Sequence, residues 1–231
     1  MFTFLNQYGF EAQRLKAVLF DMDGVLFDSM ANHAEAWTRA AALHRLRMTR
    51  EMVYMNEGRT GSGTINALAL EQWGRAATQA ECEAIYATKS EIFNSLPPAR
   101  PMPGALDLLN ALRQEAIGIV LVTGSGQRSL LTKLDDAFAG FFVPERMVTA
   151  FDVRHGKPHP EPYLMGLRKA GVSAGEAVVV ENAPLGVEAA HKAGIFTVAV
   201  NTGPLPDDVL AHAGADVVLP SVRSLLEAAI R

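Results

Sequence analysis

The chain has 231 residues, 49% of them hydrophobic and 20% charged, with a formal net charge of −4. Such a composition supports a packed core and excludes a disordered chain. The acidic balance offers no general positive field to nucleic acid or an anionic membrane, so any phosphate it binds must meet local cations.

Residues 1–14 lack the basic segment and long apolar run of a secretory signal, and are expected to form a short extension or helix. The first apolar run, Ala17–Phe20, reads as a buried strand and ends in Asp21-Met22-Asp23-Gly24. Side chains two apart at a strand end share a face, so Asp21 and Asp23 form a like-charged pair that needs a cation. A hard divalent ion, and through it phosphate, suits them. From residue 31 to 96 no strand pattern occurs. Helices are predicted over Ala31–Leu46, Arg50–Met55, Thr64–Trp73 and Gln79–Leu96, after which Pro97, Pro98, Pro101 and Pro103 end the helical stretch.

Beyond the prolines, strand and helix alternate. Helices are expected at Ala105–Glu115, Gln127–Phe138, Glu161–Ala170 and Leu185–Ala193. Strands are expected at Ile117–Val122, a weaker Met147–Phe151, Ala177–Val180, Thr197–Val200 and Val217–Leu219. Lys169-Ala170-Gly171 and Lys192-Ala193-Gly194 each place a cation in a last turn and glycine just beyond it, as helix stops do. The pattern predicts a doubly wound, Rossmann-like parallel α/β core over residues 1–30 and 100–231. An all-helical cap over 31–99 is expected to close on the end of the first strand. Cys82 is the only cysteine, so no disulfide can form within the chain, and a reducing, cytoplasmic setting is expected. No apolar run is long enough to span a bilayer, and nothing in the sequence speaks to oligomeric state.

Ligands of open α/β sheets bind outside the carboxyl ends of the strands, where this chain concentrates its polar residues. Alone, an Asp-x-Asp-Gly is as readily an acidic turn. Here it is joined by Thr123-Gly124-Ser125-Gly126, Gly156-Lys157-Pro158 and Glu181-Asn182 at other strand ends, and together these describe one pocket. The segments DMDGVLFDS, LVTGSG, HGKPHPEPY and VVVENAPLGVEAAHKAG, in this order and spacing, resemble the haloacid-dehalogenase superfamily of phosphohydrolases over nearly the whole chain. The position of the helical insert, with His33 and Trp37 in ANHAEAW, resembles the subgroup that contains β-phosphoglucomutases.

The resemblance implies roles that chemistry explains. Asp21 would attack phosphorus and carry an aspartyl phosphate, with Asp23 as acid and then base. Thr123, Gly124 and Ser125 would hold the phosphoryl group, and Lys157 would pair with Asp21 and the phosphoryl oxygens. Mg²⁺ would be held by Asp21, Asp23 and Asn182, with Glu181 near its water. Asn182 stands where the family usually has a carboxylate, leaving a neutral oxygen ligand. In the cap, aligning on Gly58 puts Gly61 where mutases carry a phosphate-binding arginine. Arg59 could substitute for it from a different position, and Glu57 fits best if it faces the metal's water shell, the alternative being that both are solvated residues at a helix end. His33 would hydrogen-bond Asp23, whereas His44, His155, His159, His191 and His212 show no ligand spacing. These features favour an Mg²⁺-dependent phosphohydrolase for a small phosphorylated metabolite, with inorganic pyrophosphate a candidate. A sugar-phosphate mutase and a non-catalytic metabolite-binding protein are the alternatives.

Overall fold

The computed structural model describes residues 2–126 and 128–230, with the backbone alone for 128–131 and 133. Two short 3₁₀ helices, Thr3–Tyr8 and Ala12–Arg14, lead into β1 (Ala17–Phe20) and β2 (Phe27–Asp28). Four helices follow: α1 (Met30–Leu43), α2 (Arg50–Asn56), α3 (Gly61–Trp73) and α4 (Gln79–Ser95). Then come β3 (Arg100–Pro101), α5 (Ala105–Gln114), β4 (Gly118–Val122), α6 (Arg128–Ala137), β5 (Met147–Val148) and α7 (Glu161–Ala170). The chain finishes through β6 (Ala177–Glu181), α8 (Pro184–Lys192), β7 (Phe196–Val200), α9 (Asp207–His212), β8 (Val217–Leu219) and α10 (Val222–Ile230). Gln127, with which the helix expected over Gln127–Phe138 begins, lies outside the described residues.

Six strands form one parallel sheet in the order β5-β4-β1-β6-β7-β8. Successive strands run outward from β1 on one side and then, from β6, on the other, so the winding reverses beside β1 and opens a crevice there. Alternate residues of β1 enter different cores, as the period of two demands. Val18 and Phe20 pack with Leu108 and Leu112 of α5 and Leu225 of α10. Ala17 and Leu19 face Tyr163 and Leu167 of α7 and Ala189 of α8. Register sets the level of the site: Phe20 lies opposite Leu121 on one side and Val180 on the other. The next residues, Asp21, Val122 and Glu181, therefore emerge together.

The helical block has its own apolar cluster, with Ala34, Trp37, Val53, Ile65, Leu68 and Ile85 among its members. Local chemistry starts three of its helices, α2, α3 and α4, each capped by a threonine hydroxyl. The Thr49 hydroxyl accepts from the Met52 N–H at 3.2 Å. Thr78 and Glu81 cap each other reciprocally through their side chains and backbone N–H groups. At the stops, Gly171 and Gly194 take the left-handed conformation expected of them, with φ of 70° and 71°.

The departures from expectation are small. Entry to and exit from the helical block run side by side, with Phe27 opposite Pro101 and Asp28 opposite Arg100 in an antiparallel pair. Two-residue strands have no periodicity to read. The weak third run is a strand only at Met147–Val148, and α9 and α10 were not expected. Residues 2–14 are a structural part of the core: Phe2 and Leu5 are fully buried, and the Phe2 N–H donates to Ala229 O of α10 at 2.8 Å. Among the described residues no helix is long and apolar enough to cross a membrane.

Candidate active site

Asp21 follows β1 and is buried. Its N–H donates to Val180 O at 3.0 Å, which ties the strand end to β6. Its Oδ1 accepts from the Lys157 ammonium at 2.6 Å. Lys157 spends its other N–H groups on Glu181 Oε1 at 2.6 Å and Val122 O at 3.1 Å. Burial opposes the lysine charge, but Asp21 and Glu181 more than offset this, so its pKa rises and it is a permanent cation.

Glu181 is fully committed. Its Oε1 also accepts from Tyr163 Oη at 2.8 Å, and its Oε2 accepts from the N–H groups of Asn182 at 2.8 Å and Ala183 at 3.0 Å. These bonds close the turn after β6 and hold Lys157. They run counter to the expectation that Glu181 faces a metal or its water, because both oxygens are already taken.

A separate chain of contacts holds Asp23. Its Oδ1 accepts from Ser29 Oγ at 2.5 Å and meets His33 Nε2 at 3.1 Å. On the far side of the imidazole, His33 Nδ1 lies 3.0 Å from Lys89 Nζ. Burial pushes the Asp23 carboxyl up, but His33, Ser29 and Lys89 outweigh it and hold the pKa below its usual value. Lys89 itself is buried among the rings of Phe93, Trp37 and Tyr86, with Nζ 4.8, 5.5 and 5.8 Å from their centroids. Burial lowers its pKa to about 8 against the pull of Glu57 and Asp23.

Lys89, like Tyr163 and Ser29, is a site residue that the sequence pattern did not reveal. For Lys89 a signal did exist: Ile85, Lys89 and Ile92 stand at i, i+4 and i+7 on one helix face, so a lysine takes a core position. Tyr163 and Ser29 carry no such mark.

The remaining expected residues also converge here. Thr123 is buried after β4, and its hydroxyl accepts from the Ser125 N–H at 3.0 Å. Gly124 and Ser125 line a pocket of about 30 Å³ with Asp23, His33, Glu57 and Lys89. Arg59 borders the same pocket, and its Nε donates to Asn56 Oδ1 at 3.2 Å. The loop after α2 closes tightly on the core: a side-chain carbon on Gly124 would lie 2.5 Å from Gly58 O. Burial raises the Glu57 pKa, aided by Asp23 and opposed by His33 and Lys89.

Asn182 is different. It is buried, and its Oδ1 is the one buried side-chain polar atom without a partner among the described residues. Gly24, at φ 85°, gives it room, since a Cβ there would lie 2.0 Å from the Asn182 amide nitrogen. Burial, together with Glu181 and Asp23, pushes the Asp21 pKa well up against the attraction of Lys157. An orphaned buried carbonyl at the end of β6, the strand next to the one that ends in Asp21, is a donor suited to a hard cation such as Mg²⁺.

A profile of the haloacid dehalogenase-like hydrolases matches residues 15–194. Hexitol phosphatase A of Escherichia coli (strain K12) is 33% identical over 217 residues, spanning 92% of this chain and 94% of that protein. Beta-phosphoglucomutase of Bacillus subtilis (strain 168) is 27% identical over 218 residues, 89% and 92% of the two chains. Among solved structures, a putative beta-phosphoglucomutase from Bacteroides vulgatus superposes with a TM-score of 0.89 at 49% identity, covering 99% of this chain and 96% of that one. The chain belongs to the haloacid dehalogenase-like hydrolase family, and it is an enzyme of phosphatase or phosphotransferase type.

Proposed function

We propose that the protein is an Mg²⁺-dependent phosphohydrolase for a small, charge-dense phosphate, with inorganic pyrophosphate the first substrate to try. The observation that carries hydrolysis over mutase chemistry is the closed space at residue 61. A side-chain carbon on Gly61 would lie 2.3 Å from the Tyr86 ring, so an arginine there has no room. The pocket of about 30 Å³ is small as well, which suits a compact substrate.

Asp21, Asp23 and the Asn182 carbonyl would hold Mg²⁺, and Glu181 serves Lys157 instead. Bound there, the ion supplies the charge that lets an anionic nucleophile approach an anionic phosphoryl group. With Oδ1 held by Lys157, Asp21 attacks through Oδ2. The new O–P bond forms as the bond from phosphorus to the leaving oxygen breaks. Lys157, the Thr123 hydroxyl and the backbone at Gly124 and Ser125 hold the transferring group. A water then attacks the aspartyl phosphate, giving a proton to Asp23, and the P–O bond to Asp21 breaks to release orthophosphate. Asp23, held below its usual pKa, is ionised at neutral pH, so the form present is the one that accepts a proton and not the one that donates it. That suits a leaving group such as phosphate, which departs as a stable anion, better than a sugar alkoxide. Residues 31–99 would act as the lid that excludes water, with Glu57 and Arg59 brought to the pocket by the loop after α2.

The mutase reading draws on the named relatives and stays as the competitor. Purified enzyme with Mg²⁺ should release two orthophosphates per pyrophosphate, and Asp21→Asn should abolish this. If it converts β-glucose 1-phosphate to glucose 6-phosphate, primed by the bisphosphate and with little phosphate released, the hydrolase assignment fails. Binding with neither activity would favour a non-catalytic protein.

A further inference from the structure

His155, His159 and Glu161 flank Lys157 in the sequence His155-Gly156-Lys157-Pro158-His159-Pro160-Glu161. Linear spacing shows no ligand pattern, but the fold turns this loop back on itself. One ligating atom from each residue lies within 4.8 Å of the others. Glu161 Oε2 is 2.8 Å from His155 Nδ1 and 4.0 Å from His159 Nδ1, and the ring centroids are 4.7 Å apart. Lys157 points inward to Asp21, while both imidazoles are exposed on the outer side. The three residues are separate from the carboxylates that hold Lys157.

We infer that His155, His159 and Glu161 form a second cation site, selective for a borderline transition ion of the Zn²⁺ class. Two imidazoles and one carboxylate are the donors such ions prefer, whereas Mg²⁺ and Ca²⁺ favour several oxygens. Tetrahedral Zn²⁺ with bonds of about 2.0–2.1 Å sets its ligand atoms about 3.3 Å apart. The observed 2.8 and 4.0 Å from Glu161 Oε2 bracket that spacing, and the three ligating atoms already lie within 4.8 Å of one another.

Glu161 is already positioned. Its Oε1 accepts from the Arg154 N–H at 2.9 Å and its Oε2 from the His155 N–H at 3.1 Å. These bonds draw its pKa down to about 2, so it is ionised at neutral pH. Ion entry would replace the His155–Glu161 hydrogen bond, moving the His155 proton to solvent-facing Nε2. It would also replace the 3.2 Å bond that His159 Nδ1 accepts from the Glu161 N–H.

The loop borders a cleft of about 620 Å³ shared with Arg59, Asn66, Arg154 and Lys192. The cleft gives an ion open access and room for water as a fourth ligand. Its cationic rim disfavours an ion held by charge alone and favours one held by imidazole bonding. On this geometry the protein has two chemically distinct cation sites, oxygen donors inside and mixed nitrogen and oxygen donors outside.

Isothermal titration with Zn²⁺ in saturating Mg²⁺ tests this on the full chain. Wild type should bind one Zn²⁺ equivalent that the double variant His155→Gln/His159→Gln does not bind, or binds at least 10-fold more weakly. Co²⁺ in place of Zn²⁺ should give tetrahedral visible absorption in wild type alone. Because neither histidine is placed in the phosphoryl machinery, the double variant should retain wild-type turnover in Mg²⁺, which also shows that it is folded. Equal Zn²⁺ binding by both proteins, or none by wild type, would overturn the site and leave the hydrolase reading untouched.

Discussion

Lys89 is a cation buried among aromatic rings at the edge of the pocket, so its protonation is finely balanced. Its pKa of about 8 belongs to the resting enzyme. Through His33 it reinforces the orientation of Asp23. We expect kcat/KM to fall as pH rises through about 8, where the ammonium loses its proton. In Lys89→Met the rate should be lower and that alkaline limb absent. The folding consequence has the opposite sense. A lysine whose folded pKa is depressed costs stability wherever it is charged, and the cost is relieved as pH rises from about 8 towards the unfolded value. Lys89→Met should therefore melt no lower than wild type at pH 7. A flat wild-type pH–rate profile between 7 and 9 would remove Lys89 from the mechanism.

Asn182 allows a second test at this scale. Asn182→Asp adds a buried carboxylate at the strand end next to that of Asp21, so calorimetry should find Mg²⁺ binding retained or tightened, while the metal-free variant melts lower than wild type. Loss of Mg²⁺ binding would show that the Asn182 carbonyl is not a ligand. Glu57→Ala should reduce turnover at least 10-fold if the carboxylate serves the pocket, and near-normal turnover would leave it a surface residue.

At the scale of elements, the turn from β6 into α8 does two jobs at once. It ends the strand and wraps Glu181 in hydrogen bonds that aim Lys157. Gly186 in the first turns of α8 makes this feasible, because a Cβ there would lie 1.8 Å from Glu181 Oε1. Alanine normally favours a helix over glycine by about 1 kcal/mol. Here Gly186→Ala should instead destabilise by about 1–3 kcal/mol, a typical cost of overpacking. It should also lower kcat at least 10-fold, by displacing Glu181 and with it the lysine. A variant as stable and active as wild type would show that Glu181 can move freely.

At the scale of the whole molecule, two sheet faces, a helical block and an N-terminal segment are each closed by apolar packing. Phe2 lies beneath α10 and is fully buried, so the first residues close one side of the core. Phe2→Ala should lose about 3–5 kcal/mol, read from denaturant unfolding, with activity at low temperature little changed. A loss below about 1 kcal/mol would make the segment an appendage. The site depends on the same closure, since its residues come from the ends of β1, β4 and β6, the loop before α7, and two helices of the block.

Much of this was legible in the chain, for physical reasons that can be named. Ala17–Phe20 and Ala177–Val180 read as strands because a sheet buried on both faces demands continuous apolar runs. Glu161–Ala170 read as a helix because it is amphipathic and its last turn carries its own stop signal, Lys169-Ala170-Gly171. Asp21, Asp23, Thr123, Lys157 and Asn182 were legible as a group because each directly follows an apolar run or sits in a glycine- and proline-bounded loop. Pairing and direction were not. Glu181 binding Lys157 rather than facing a metal ion, Lys89 lying behind His33, Tyr86 filling the space at Gly61, and His155 meeting His159 across a turn are all contacts between side chains distant in sequence or folded back by a loop. Local composition determined which elements form and which polar residues end them. Only the packed structure decided which groups share each proton, because that depends on distances of an ångström that no pattern along the chain encodes.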